Sequence, residues 1–123
     1  MHFEKIEQAI KDLGRGIPES FRDLCADNVT VESMHNSSVG SNVKNRAETY
    51  EMHKGVPEGS IEVRCLADTA DMCLVWHSFP QDDTIAYMCA YHFKSNGHIA
   101  ACYYANRAAE RFPKLSITPK AEQ

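Results

Sequence analysis

Apolar residues recur at helical spacing at the start of the chain and at strand spacing afterwards. Phe3, Ile6, Ile10 and Leu13 mark one face of a helix that stops at Gly14 and Gly16, and Pro18 opens a second short helix through Phe21, Leu24 and Cys25. The run VTVESMH then alternates, with Val29, Val31, Ser33 and His35 on one side of a first strand and Thr30, Glu32 and Met34 on the other. Residues 36–44 are polar and turn-rich. Asn45 is positioned to cap a third helix, NRAETYEMHKG, that ends at Gly55 with Pro57 beyond it.

From Ser60 the pattern predicts a four-stranded antiparallel meander. SIEVRCLAD and ADMCLVWHSF are joined by a tight turn near Thr69-Ala70, and PQDD turns the chain into a long hairpin, TIAYMCAYHFKSNGHIAACYYAN. Asn96-Gly97 suits a two-residue type I′ turn. With Ser95 opposite His98, Phe93 faces Ala100, Tyr91 faces Cys102, Cys89 faces Tyr104 and Tyr87 faces Asn106. On the assumed turns, Ile61, Val63, Cys65 and Ala67 share this inner face with Met72, Leu74, Trp76 and Ser78. The outer face takes Glu62 and Arg64, but also Leu66, Cys73, Val75, Phe79, Met88, Ala90, Ala101, Tyr103 and Ala105. A solvated outer face alternates more cleanly than that, so a second copy of the chain is expected to cover it, giving a homodimer through the outer sheet face. The expected organisation is one α+β domain over residues 1–110, helices on a curved, mostly antiparallel sheet, followed by a C-terminal tail at 111–123.

Composition narrows the function classes. At 123 residues and a formal charge of −4, with the basic residues scattered, the chain offers no footprint for nucleic acid or an anionic membrane. No apolar run approaches the ~20 residues of a membrane span, and the charged, amphipathic MHFEKIEQAIKDL is unlike a signal peptide, which makes a soluble cytoplasmic protein the expectation. Five cysteines with no CxxC pair argue for reduced thiols rather than disulfides or a zinc ribbon. Neither HExxH nor HxH spacing nor a glycine-rich phosphate loop occurs, so no metal and no cofactor is expected.

The inner face reads as the wall of a pocket for a small hydrophobic molecule bearing a few oxygens. His35 is the candidate general base, Tyr91 or Tyr104 the group that polarises a carbonyl, and Asn106 the group that orients the ligand. Ser33, Trp76, Tyr87, Cys89 and Cys102 complete the candidate lining. Cys89 acting as a nucleophile would need a base beside it, and the sequence pairs it with none. His77 and His92 fall on the outer face in this register, and His53 sits near the end of the third helix.

Helix, helix, strand, helix and curved meander, in that order, resemble the cone-shaped α+β fold of the nuclear transport factor 2-like superfamily, which includes ketosteroid isomerases, scytalone dehydratases and SnoaL-like cyclases. CADNVTVES resembles the ketosteroid isomerase stretch reading roughly A-D-D-A-T-V-E-D, and AYHFKSNGHIAACYYAN resembles the last hairpin with its R-F-x-x-x-G-x-I pattern. The resemblance spans residues 3 to about 106. It implies a cavity and chemistry by proton transfer on a hydrophobic carbonyl compound, as in an isomerase, cyclase or dehydratase. The matching positions depart from the ketosteroid isomerase constellation: Ser33 stands where the general-base aspartate is found, Cys89 where the oxyanion-hole aspartic acid is found, and Ile10 or Lys11 near the partner tyrosine. Scytalone dehydratases carry an asparagine at the Cys89 position. A non-catalytic module that binds a hydrophobic ligand or serves dimerisation is therefore the alternative.

Overall fold

The computed structural model describes residues 1–33, 43–106 and 108–111. Helix α1 spans Phe3–Gly14 and α2 spans Glu19–Leu24; β1 follows at Cys25–Ser33, then α3 at Arg46–His53. The meander consists of β2 (Glu62–Asp68), β3 (Met72–Phe79), β4 (Asp82–Phe93) and β5 (Ile99–Asn106), and a short α4 covers Ala108–Arg111. The strands form one sheet in the order β1-β5-β4-β3-β2. Only the β1–β5 pair is parallel. Met34 and His35, expected to continue β1, and residues 112–123 of the expected tail lie outside the described residues.

The amphipathic spacing of α1 places Ile6, Ile10 and Leu13 against the sheet, where they join Val29, Val31, Val75 and Ile99 in the main core. Burying each such aliphatic side chain contributes about 2 kcal/mol, so the stripe is what docks the helix. Both ends of α1 are tied to other elements. At its start, the backbone N–H groups of His2 and Phe3 donate to the Asp68 carboxylate on β2, at 3.0 and 3.1 Å. This supplies a cap that His2 does not provide itself. At its end, the Gly59 N–H donates to the Gly14 carbonyl at 2.8 Å, and a Cβ on Gly14 would collide with the Gly59 carbonyl. Asn45 caps α3 as its sequence suggested, with Oδ1 accepting from the Glu48 N–H at 2.8 Å.

Three irregularities decide which side chains face inward. The β4–β5 hairpin does not close on a two-residue turn. Lys94 donates to the His98 carbonyl at 2.8 Å and Gly97 donates to the Lys94 carbonyl at 2.9 Å, leaving Ser95, Asn96 and Gly97 in the loop, with Gly97 at φ +86°. Phe93 accordingly pairs with Ile99 rather than Ala100, and an irregularity between His92 and Phe93 restores the expected register of Tyr91 with Cys102, Cys89 with Tyr104 and Tyr87 with Asn106.

The second irregularity lies in β2, where Cys65 pairs with Val75 but Ala67 with Leu74, so that Leu66 is the extra residue. The third ends β3: Phe79 pairs with Asp82 across a tight Pro80-Gln81 turn, whereas Ser78 pairs with Ala86. Together they shift β3 by one residue against its expected register, and a one-residue slip exchanges the faces of a strand. Cys73, Val75, His77 and Phe79 point inward. Trp76 therefore leaves the expected pocket wall and packs on the outer face with Ala86, Met88 and Ala108 of α4. His77 moves the opposite way, from the expected outer face to the inner one, while His92 stays outside, its ring edge-on to Tyr103. The apolar outer face is thus covered in part by the chain's own α4.

Candidate functional site

The helices stand off the sheet around a cavity of about 300 Å³. Ile10 and Leu13 of α1, Phe21 of α2, Val31 of β1 and Met52 and His53 of α3 close one side. The sheet supplies the other: His77 and Phe79 from β3, Tyr87, Cys89 and Tyr91 from β4, and Cys102, Tyr104 and Asn106 from β5. Carbon dominates the wall. Among the described residues no Asp or Glu lines it, so any proton chemistry falls to imidazole, thiol and phenol groups.

These groups converge at Cys89. His77 Nε2 lies 3.2 Å from Cys89 Sγ, the two residues sitting diagonally across the β3–β4 pair. Tyr91 of β4 and Cys102 of β5, opposite each other in the register, line the cavity with Cys89. Hydrogen bonding from Cys102 is the strongest influence and, with the charge and hydrogen bond of His77 and the Tyr91 hydroxyl, holds the Cys89 thiol well below its ordinary range against the opposing effect of burial. Cys102 moves up in return, first through its hydrogen bond to Cys89, and Tyr91 is pushed up mainly by burial. A proton in this cluster belongs to the group rather than to one residue.

A second imidazole faces the first across the cavity. Burial, with the nearby His77 charge, lowers His53 to about 4, so it is neutral at physiological pH. The Nδ1 atoms of His53 and His77 are buried and have no hydrogen-bond partner among the described residues. Each is a polar handle beside an apolar space. The Phe21 ring meets His53 edge-on at 4.5 Å and Tyr91 at 5.7 Å, and Tyr87 lies between His77 at 5.4 Å and Phe79 at 6.1 Å. Burial also raises Tyr87, keeping its phenol a neutral hydrogen-bond donor.

Of the residues singled out in the sequence, Tyr87, Cys89, Tyr91, Cys102, Tyr104 and Asn106 all line this cavity. The backbone of Ser33 pairs with Tyr104 at the end of β1. His35, the candidate base, lies outside the described residues, and Trp76 is on the other side of the sheet. Sequence reasoning missed His77. Both alternating sets on β3 are apolar, Met72-Leu74-Trp76 and Cys73-Val75-Phe79, so periodicity could not choose between them. Away from the cavity, Cys65, Asp68 and Cys73 bring three possible ligand atoms within 4.8 Å of one another. The Asp68 carboxylate is already engaged at the start of α1, as described above.

Solved structures carry the same architecture. A nuclear transport factor 2-like protein of unknown function from Burkholderia xenovorans superposes with a TM-score of 0.66 at 16% identity, covering 86% of this chain and 85% of that one. The chain has the nuclear transport factor 2-like fold. A SnoaL-like protein of unknown function from Burkholderia thailandensis matches with a TM-score of 0.64 at 12% identity, over 84% of this chain and 92% of that one. SalBIII, described as an epoxide hydrolase/cyclase-like enzyme in pyran ring formation in polyether salinomycin, matches with a TM-score of 0.59 at 12% identity, over 85% and 89%. No protein-family model matches the sequence, and no curated protein matches it. In this nuclear transport factor 2-like fold the helices and the mostly antiparallel sheet enclose the cavity described above. No helix among the described residues is long and apolar enough to cross a membrane.

Proposed function

We propose that the cavity takes up a small, largely apolar carbonyl compound and moves a proton on it without a cofactor, with His77 as the base. The observation that supports this most directly is the His77 imidazole at the cavity wall, with Nε2 3.2 Å from the Cys89 sulfur and Nδ1 without a partner among the described residues. Imidazole changes charge near neutral pH, which suits a group that must both accept and return a proton. The Tyr87 and Tyr104 hydroxyls are donors for the oxygen on which charge develops once a proton leaves the neighbouring carbon. At about 300 Å³ the cavity is at the small end of ligand sites, which favours a compact substrate. Isomerisation, cyclisation and dehydration all begin with this step. The role expected of His35 is thereby assigned to His77.

A second reading, binding without turnover, is favoured by the lack of any Asp or Glu among the described lining residues. A thermal-shift screen with cyclic ketones, enones and lactones, followed by product analysis on the hits, separates the two. Turnover by the wild type with binding but no turnover in His77→Ala supports the enzyme. Binding with no turnover in either supports the second reading, and turnover unchanged in His77→Ala removes His77 as the base.

A further inference from the structure

We propose that Cys89 is a nucleophile that adds reversibly to the β-carbon of an α,β-unsaturated carbonyl ligand, with His77 carrying the thiol proton. This rests on the reading of the cavity as a carbonyl site and narrows its ligand class to conjugated enones and enals.

Three observations carry the proposal. Cys89 is only 4% exposed yet lines the cavity, so its sulfur is open to a bound ligand and closed to bulk thiols and oxidants. His77 Nε2, at 3.2 Å, is within reach of the thiol proton, and the neighbouring Cys102 and Tyr91 help to hold the thiol below its ordinary range. Cys25 supplies an internal contrast. It is fully buried in the same core, and burial pushes its thiol up to about 12, the behaviour of a cysteine that only fills space.

The step balances within the cavity. The thiol proton passes to His77 Nε2, and the sulfur lone pair forms a C–S bond to the β-carbon. The π electrons of the C=C bond move toward the carbonyl oxygen, giving an enolate that accepts a hydrogen bond from Tyr87 or Tyr104. His77 then returns the proton to the α-carbon. The net change is addition of S–H across the double bond, with no oxidant or reductant. Reversal releases the ligand, and rotation about the former double bond before release interconverts its cis and trans forms.

The test is intact-mass analysis of the chain treated with cyclohexenone, or with N-ethylmaleimide as a faster probe, in a Cys65→Ser background, because Cys65 is the exposed cysteine. The expected result is one adduct that maps to Cys89, disappears in Cys89→Ala and forms more slowly in His77→Gln by on the order of a hundredfold. Equal labelling of Cys25, Cys73 or Cys102, or labelling of Cys89 unchanged by His77→Gln, overturns the proposal. Should His77→Gln not fold, the pH profile of alkylation replaces it. An inflection well below the ordinary thiol range supports the cluster, and a rate that rises only as an ordinary thiol ionises overturns it. Absence of an adduct with saturated ketones still bound rejects the nucleophile alone, whereas absence of both rejects the carbonyl site beneath it.

Discussion

His53 and His77 face the same cavity, and burial holds His53 neutral at physiological pH. His53 is lowered to about 4 from an ordinary 6.5, so between these values the unfolded chain binds a proton that the folded chain refuses. Stability attributable to His53 therefore rises with pH through this window and falls as the pH drops from about 6.5 toward 4, levelling off below. The full effect is on the order of 3 kcal/mol. Urea unfolding of the wild type at both ends of the window should show this loss, and His53→Phe should flatten it. An unchanged slope in His53→Phe would assign the pH dependence elsewhere. At this scale the sequence was partly legible. Asn45 declared itself as a cap because capping is local, whereas the inward cysteines and tyrosines of β4 and β5 matched the expected register only because the irregularity after His92 offsets the longer loop at Gly97. The Cys89–His77 contact was not legible, since it joins two strands whose relative register no local signal sets.

Elements with one apolar face were readable, and those with two were not. Helix α1 advertises a single stripe, so its buried residues Ile6, Ile10 and Leu13 agree with its periodicity. Strand β3 is apolar on both sides, and its facing depends on an extra residue at Leu66 and on three residues absorbed after the Pro80-Gln81 turn. Trp76 tests the corrected facing. It is 5% exposed and packs on Met88 and Ala108 across the sheet from the cavity. Trp76→Ala should cost about 3–5 kcal/mol in unfolding free energy, the usual penalty for emptying an aromatic site. Trp76→Phe should leave ligand affinity unchanged. As the chain's single tryptophan, Trp76 should also report ligand binding poorly by fluorescence quenching. Strong quenching by a cavity ligand would place the indole back on the inner face.

The whole molecule uses the two faces of one sheet differently. Inside, three helices and β1 close the cavity; outside, α4 covers Trp76 and Met88 but leaves Leu74, Ala90, Ala101 and Tyr103 only half-buried. We propose that this remainder is the contact of a homodimer, the partner inferred from the apolar outer pattern of the sequence. Sedimentation at micromolar concentration should give a species of twice the 13.8 kDa chain mass, shifted to monomer by Tyr103→Glu. A wild-type monomer would remove the pairing.

Solvent exchange tests the base assignment at the cavity most directly. A cyclic ketone that binds, incubated in heavy water with the protein and followed by NMR, should take up deuterium at the carbon next to its carbonyl. Uptake should fall on the order of a hundredfold in His77→Gln, while the ketone remains bound. Uptake at the same rate in wild type and His77→Gln, with both folded and both binding, would contradict the assignment of His77 as the proton carrier.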